Sequence, residues 1–109
     1  MANTFKLKTK ANVGVTTVGI YTAPASTTTV VIGITMSNTS GSGVNVGVGT
    51  TRAGTTEDVK LLKNAPIPQG SSLEFMAGNK VVLEATDTLT VDSDTNNSVD
   101  TALTIMEIT

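Results

Sequence analysis

The stretch Thr28-Thr-Val-Val-Ile-Gly-Ile-Thr-Met-Ser-Asn38 carries the strongest structural signal in the sequence. Bulky apolar residues occupy each even position from Val30 to Met36, and mostly small or polar residues stand between them. Successive side chains of a β-strand point to opposite faces of the sheet, so this period of two predicts a half-buried strand. We expect a strand over Thr28–Asn38 with its even face in the core.

The residues that follow favour a hairpin. Asn38-Thr-Ser-Gly-Ser-Gly43 has the composition of a turn, and alternation resumes with valines at positions 44, 46 and 48. Asn45, Gly47 and Gly49 lie between those valines and fill the other face of this strand poorly. We therefore expect this strand to be weakly packed on that side, unless another backbone or a subunit approaches it closely.

Further short strands are predicted on both sides of this pair. The expected ranges are 4–9, 15–22, 58–64, 73–76, 80–84, 89–92 and 99–108. Turn signals recur about every 8 to 12 residues, and no segment shows helical periodicity, which is typical of an antiparallel sandwich. The sequence therefore predicts an all-β fold: one antiparallel β-sandwich domain over residues 1–109, of jelly-roll or Greek-key type, with about eight short strands. The residues predicted to be buried include Val30, Ile32, Ile34, Leu61, Leu83, Val91 and Leu103.

The two ends of the chain carry the candidate contact residues. In the first ten residues Phe5 and Leu7 alternate with three lysines, which predicts an edge strand or an attachment arm. The last predicted strand is apolar on both faces, as expected of a strand that is central in a sandwich or covered by a neighbouring molecule. The predicted partner interface consists of Lys6, Lys8, Lys10, Ala102, Met106 and Ile108.

Composition excludes much familiar chemistry. The chain has no His and no Cys, which rules out Ser-His-Asp and Cys-His nucleophiles, thiolate or imidazole metal sites and disulfides. We expect no enzymatic activity and no cofactor. No apolar run approaches the roughly 18 residues of a membrane span, and the N-terminus lacks a secretory signal, so we expect neither membrane insertion nor export. The isoelectric point near 4.8 and the scarcity of aromatic residues argue against nucleic-acid binding.

Charge is unevenly distributed along the chain. Residues 1–80 hold all seven basic side chains, whereas residues 81–109 hold six acidic side chains and no basic one. In one interpretation the two parts lie side by side and neutralise each other. In the other, the protein is bipolar and docks onto a charged surface of a partner.

One tract has the oxygen spacing with which calcium loops begin. Asp92, Asp94 and Asn96 stand at alternate positions, and Asp100 follows. Asn97 stands where such loops have Gly, the position of the bidentate Glu holds Leu, and no helices flank the tract. An Asn- and Asp-rich turn that tolerates left-handed backbone is therefore the favoured interpretation.

Several segments together resemble a known group of proteins. They are Thr17-Val-Gly-Ile-Tyr-Thr-Ala-Pro-Ala25, Thr29-Val-Val-Ile-Gly-Ile34, Leu62-Lys-Asn-Ala-Pro-Ile-Pro-Gln-Gly70, Lys80-Val-Val-Leu-Glu84 and the stretches Ser98–Asp100 and Glu107–Thr109. Across nearly the whole chain, these segments resemble small virion structural proteins of tailed bacteriophages, those of marine and cyanobacterial phages above all. The shared motifs are strands and turns, so no binding residue transfers from them.

The resemblance implies a non-enzymatic particle component located in the virion. Its most specific form is a capsid decoration or cement protein, with a tail, neck or baseplate accessory protein as the alternative. The implied partners are the major capsid protein or another virion protein, together with further copies of the chain, and we expect a trimer. A glycan-binding module is the alternative of another class. It is disfavoured because sugar-binding modules offer aromatic platforms, whereas this chain has no Trp and one Tyr.

Overall fold

The computed structural model describes residues 3–54, 57–75 and 80–109. Within these ranges lie nine β-strands: β1 (Asn3–Val13), β2 (Val18–Thr22), β3 (Thr28–Asn38), β4 (Val44–Thr51), β5 (Asp58–Ile67), β6 (Ser72–Phe75), β7 (Val81–Leu83), β8 (Thr88–Ser93) and β9 (Val99–Ile108). The prediction of an all-β fold is confirmed. The bounds of β3 and β9 match the sequence prediction, whereas β1 and β5 are longer than predicted and β2 is shorter. None of the described residues belongs to a helix that is long and apolar enough to cross a membrane.

The strands form two antiparallel sheets that pack face to face. The first sheet has the order β1-β9-β3, and β6 and β7 both pair with the far edge of β3. The second sheet has the order β2-β8-β4-β5. The chain thus folds back on itself as a ribbon that pairs β1 with β9, β2 with β8, β3 with β6 and β7, and β4 with β5. Rolling this ribbon into two sheets is the jelly-roll arrangement, which confirms the predicted antiparallel sandwich.

The predicted hairpin between β3 and β4 is wrong. The two strands belong to different sheets, and residues 39–43 carry the chain from one sheet to the other. Asn38 supports this crossing, because its side-chain amide donates hydrogen bonds to the carbonyl oxygens of Ser42 and Ile67. Residues 39–43 connect two strands, as their composition predicts, but strand alternation does not show with which strand a segment pairs.

The predicted register of β3 holds over only half of the strand. Ile34 and Met36 are buried as expected, but Val31 is buried nearer the start of the strand, where Val30 and Ile32 are only half-buried. The cause is a β-bulge at Ile32, the residue left over between two consecutive pairs with β9. An extra residue in one strand reverses the face on which the later side chains lie. The predicted burial of Val30 and Ile32 is therefore wrong.

The core is aliphatic and lies between the two sheets. Of the other residues predicted to be buried, Leu83, Val91 and Leu103 are confirmed, and Leu61 is only half-buried because it lies on β5, an edge strand with irregular register. The buried cluster consists of Val13, Tyr21, Ala23, Val31, Ile34, Met36, Val44, Val46, Val48, Ile67, Leu83, Leu89, Val91, Val99, Leu103 and Ile105.

The glycines of β4 are covered by the neighbouring strand. Gly47 and Gly49 lie on the face of β4 that points away from the core, yet both are buried. A Cβ atom on Gly49 would lie 2.9 Å from the carbonyl oxygen of Val59. One on Gly47 would lie 2.6 Å from Oδ1 of Asp92, a side chain of β8, and 3.3 Å from the carbonyl oxygen of Leu62. Both carbonyls belong to β5, whose pairing with β4 is interrupted by two register shifts. The close approach of β5 fills this side of β4, which is therefore not weakly packed.

Candidate interaction surface

An apolar row crosses the outer face of the first sheet. Phe5 of β1 lies opposite Met106 of β9, Met106 lies opposite Val30 of β3, and Val30 lies opposite Val82 of β7. Directly opposed residues of antiparallel strands place their side chains on the same face. Four strands therefore contribute one side chain each to a continuous row that points away from the core.

Leu7 and Ile108 extend this row along β1 and β9. Phe5, Leu7 and Val82 are 69%, 65% and 55% exposed, and the remaining members are half-buried. Isolated exposed apolar residues are normal on a protein surface, but a contiguous patch marks a site of interaction. We call this patch the outer apolar face; its members are Phe5, Leu7, Val30, Val82, Met106 and Ile108.

The predicted contact residues of β9 fall on this side of the sheet. Met106 and Ile108 belong to the outer apolar face, and Ala102 lies further along β9 between Thr9 and Thr35. Sequence reasoning missed Phe5 and Leu7 as surface residues. Their alternation with lysines showed that the two sets occupy opposite faces of β1, and the usual assumption that the apolar set points inward is wrong for this strand.

The three lysines of β1 lie on the opposite, core-facing side. Lys6 pairs with Ile105, Lys8 with Leu103 and Lys10 with Thr101, and these three partners on β9 are all buried. The lysines themselves remain exposed or half-buried, because β1 is the edge strand of the first sheet. The six predicted interface residues therefore occupy two faces of the sheet and do not form one patch.

A buried carboxylate joins β1 to the interior. Glu107 is 6% exposed; it accepts a hydrogen bond of 2.6 Å from the Tyr21 hydroxyl, and its other carboxylate oxygen lies 3.0 Å from the Lys6 ammonium. The Tyr21 bond and the Lys6 contact hold the pKa of Glu107 below its usual range. Burial, and next the bond to Glu107, raise the pKa of Tyr21 to about 12. This arrangement satisfies a buried charge and links β1, β2 and β9.

A second ion-pair group lies at Arg52. Its guanidinium contacts the carboxylates of Glu84 and Asp87, each at 3.0 Å. Burial alone raises the pKa of Asp87, but hydrogen bonds from the backbone N–H groups of Ala53 and Glu84, together with Arg52, leave it below its ordinary value. The ion pairs at Glu107 and at Arg52 each join a basic residue of positions 1–80 to acidic residues of positions 81–109. This favours the interpretation in which the two parts of the chain neutralise each other.

The Asp- and Asn-rich tract forms a turn whose carboxylates already have partners. Asp92 accepts a hydrogen bond from the Thr17 hydroxyl, Asp94 from the backbone N–H of Asn45, and Asp100 from that of Asn12. Asn97 has a φ of 50°, the left-handed conformation that Asn tolerates. Among the residues that the structure describes, no three acidic side chains come together in a way that could hold a metal ion.

Comparison with known proteins gives matches at the level of structure. No family model and no curated protein matches the chain. The solved structures similar to it include the disulfide-linked pili of Bacillus endospore appendages, at 16% identity and a TM-score of 0.57 over 99% of this chain and 87% of the other. The capsid of Helicobacter pylori bacteriophage KHP30 is 10% identical, with a TM-score of 0.57 over 98% of this chain and 87% of the other.

A third similar structure is the particle of infectious bursal disease virus. Its identity is 15% and its TM-score is 0.59, with 96% of this chain covered but only 30% of the viral chain. At identities this low the likeness establishes the fold alone. These matches agree with the jelly-roll connectivity read from the strand pairing.

Proposed function

We propose that this protein is a non-enzymatic structural component of a virus particle, and more specifically a capsid decoration or cement protein that stabilises contacts between capsid subunits. The observation that carries the proposal is the match to the KHP30 capsid, which extends over almost the whole of both chains. The open outer apolar face and the absence of His and Cys support it.

In this proposal the outer apolar face is the surface that contacts the particle. Phe5 and Leu7 are largely exposed in the isolated chain, and full burial of such side chains contributes about 1.5 to 3 kcal/mol each. Met106 and Ile108 extend the contact, and Ala102 borders it. The partners are the major capsid protein or another virion protein, together with further copies of this chain arranged as a trimer.

Three other roles remain as alternatives. A tail, neck or baseplate accessory protein would use the same kind of subunit contact. A fibre subunit is suggested by the match to the endospore pili, although this chain has no cysteine with which to form their disulfide links. A glycan-binding module has the least support, because Tyr21 is buried and Phe75 half-buried, which leaves Phe5 as the one largely exposed aromatic ring among the described residues.

Immunogold labelling of virions produced from the genome that encodes this chain tests the proposal. Label spread evenly over the shell supports a capsid decoration protein. Label restricted to the tail or neck overturns that role in favour of an accessory protein, and label on extracellular fibres favours a pilus-like subunit. Virions that carry no label overturn the particle role altogether.

Rebinding to particles stripped of this protein tests the contact surface. Phe5→Ser combined with Leu7→Ser should lower occupancy because it removes the most exposed apolar side chains of the face. Val15→Ser is the matched control, since Val15 is 57% exposed but lies between β1 and β2, away from this face. Equal loss of occupancy in both variants would contradict the assignment of the surface.

A further inference from the structure

The outer edge of β1 is a free strand edge of unusual length. Among the strands that the structure describes, β1 pairs only with β9, and it does so in unbroken register from Asn3 to Lys10. At the other sheet edges, β2 has five residues and a register shift, β5 contains Pro66 and two register shifts, and β6 and β7 have four and three residues. Among the described strands, the edge of β1 is therefore the best template for an added strand.

Both faces of β1 are open as well as its edge. From Asn3 to Asn12 every residue is exposed except Lys8, which is half-buried. A strand laid against this edge would therefore meet side chains on both faces without displacing any of the core. Unpaired backbone N–H and C=O groups on such an edge can form a regular ladder with an extended peptide.

The side chains of β1 restrict which strand can pair. Lys8 and Lys10 form no ion pair within the described parts of the chain, whereas Lys6 is held by Glu107. The β1 strand of another copy could pair antiparallel with this edge so that its lysines lie on the same face of the sheet. Lysines would then lie opposite lysines, which is unfavourable. Charged residues on an edge strand are a common protection against pairing between identical copies. The edge thus disfavours another β1 and attracts a strand of opposite charge.

We propose that the free edge of β1 binds an extended segment of another protein in which acidic residues alternate with apolar ones, and that this segment adds to the first sheet as a further strand. Its acidic side chains lie beside Lys8 and Lys10. Its apolar side chains lie beside Phe5 and Leu7 on the opposite face. This inference does not rest on the particle role, because the free edge of β1 and its lysines carry it. Phe5 and Leu7, which the added strand shares with the outer apolar face, are not changed in its test.

A labelled peptide as long as the regular part of β1, alternating Glu with Val, tests the proposal by fluorescence anisotropy with the isolated full chain. We expect this peptide to bind and a peptide alternating Lys with Val not to bind. Two further versions of the Glu–Val peptide carry backbone N-methyl groups, one on every odd residue and the other on every even residue. Because alternate N–H groups of a strand point to opposite edges, each version loses the N–H donors along one edge of the peptide. Strand addition requires one version to bind and the other to fail. Equal binding of both, or no binding of the parent peptide, overturns the proposal.

Charge reversal on the protein tests the role of the lysines. Lys8→Glu with Lys10→Glu should weaken binding of the Glu–Val peptide by about tenfold or more, because two attractive neighbours become repulsive, and should allow the Lys–Val peptide to bind. Lys63→Glu with Lys80→Glu changes the net charge equally at exposed positions away from β1 and should leave both affinities unchanged. Equal weakening by the control pair would show that only net charge matters. Circular dichroism establishes that each variant is folded, and no result depends on a virion.

Discussion

The outer faces of the two sheets differ in how far other parts of the chain cover them. In the second sheet, glycines of β4 lie under carbonyl groups of β5, and hydroxyl groups such as that of Thr17 bond to Asp92. In the first sheet, an apolar row crosses four strands and no described part of the chain covers it. The chain thus covers part of the outer face of the second sheet with its own backbone, whereas it leaves the outer face of the first sheet open to solvent. Because the members of the open face lie outside the buried core, we expect them to contribute less to folding than core residues do and to be available for contact with a partner.

The largest expected effect compares the inner and outer sides of the same strand. Ile34→Ala should lower the free energy of unfolding by about 2 to 5 kcal/mol, because it leaves a cavity in the core. Val30→Ala, on the outer apolar face, should cost less than about 1.5 kcal/mol, since Val30 is only half-buried. Urea denaturation measures both values. A cost for Val30→Ala equal to that for Ile34→Ala would mean that the outer face contributes to the fold.

The next effect tests the packing around the glycines of β4, on the outer face of the second sheet. Gly49→Ala should destabilise the protein by about 1 to 3 kcal/mol, because its Cβ would press against the carbonyl oxygen of Val59. Gly33→Ala is the matched control on β3, where a Cβ would meet no atom within 4 Å, and we expect a change within about 0.5 kcal/mol. Thermal unfolding compares the two variants. If Gly49→Ala were as well tolerated as Gly33→Ala, the second sheet would not be closed by its own backbone.

These two faces also show what the sequence could predict. Composition and alternation correctly predicted an all-β sandwich and the bounds of β3 and β9. Each of these depends on local sequence pattern. Strand pairing and sheet assignment depend on contacts between distant segments, which explains why the expected hairpin of β3 with β4 was wrong.

The same limit applies to the candidate surface. A bulge of one residue at Ile32 reverses the side of β3 that points inward. Gly33 beside it is a residue type that often marks a bulge, but the apolar alternation continues through this point and does not show it. In β1 the alternation separated Phe5 and Leu7 from the lysines correctly, but it could not show which set points outward. In the structure Lys6 lies on the inner side, where its ammonium contacts the buried carboxylate of Glu107, a residue far away in the sequence.

A smaller effect concerns the contacts that hold β1, the edge strand of the first sheet. Tyr21→Phe removes a hydrogen bond to the buried carboxylate of Glu107 and should cost about 1 to 2 kcal/mol at neutral pH. Thr22→Val is the matched control in β2, because it removes an exposed hydroxyl that bonds only to Thr88 and should change stability by less than about 0.5 kcal/mol. Chemical denaturation distinguishes them. Equal costs would contradict a special role for the contact between Tyr21 and Glu107.

The pH dependence of stability follows from the same groups. The pKa values of Glu107 and Asp87 are lowered in the folded protein, so their contributions exist above the ordinary carboxyl pKa of about 4 and are lost as pH falls below it. The pKa of Tyr21 is raised to about 12, so its contribution is present below the ordinary value of about 10 and is lost between there and about 12. In pH titrations of stability, Tyr21→Phe should remove the alkaline loss. An unchanged alkaline loss would show that another group causes it.

The outer apolar face should matter less for stability than for association, and one variant separates the two. Phe5→Ser with Leu7→Ser should change the free energy of unfolding by no more than about 0.5 kcal/mol per site, since both side chains are largely exposed. If the proposed self-association occurs, light scattering should show this variant to be more monomeric than the wild-type protein and Val15→Ser to be as associated as the wild type. A wild-type protein that scatters as a single species of 11.1 kDa would contradict self-association through the open face. The outer apolar face would then be expected to contact a different partner, because a contiguous apolar patch on a protein surface marks a site of interaction.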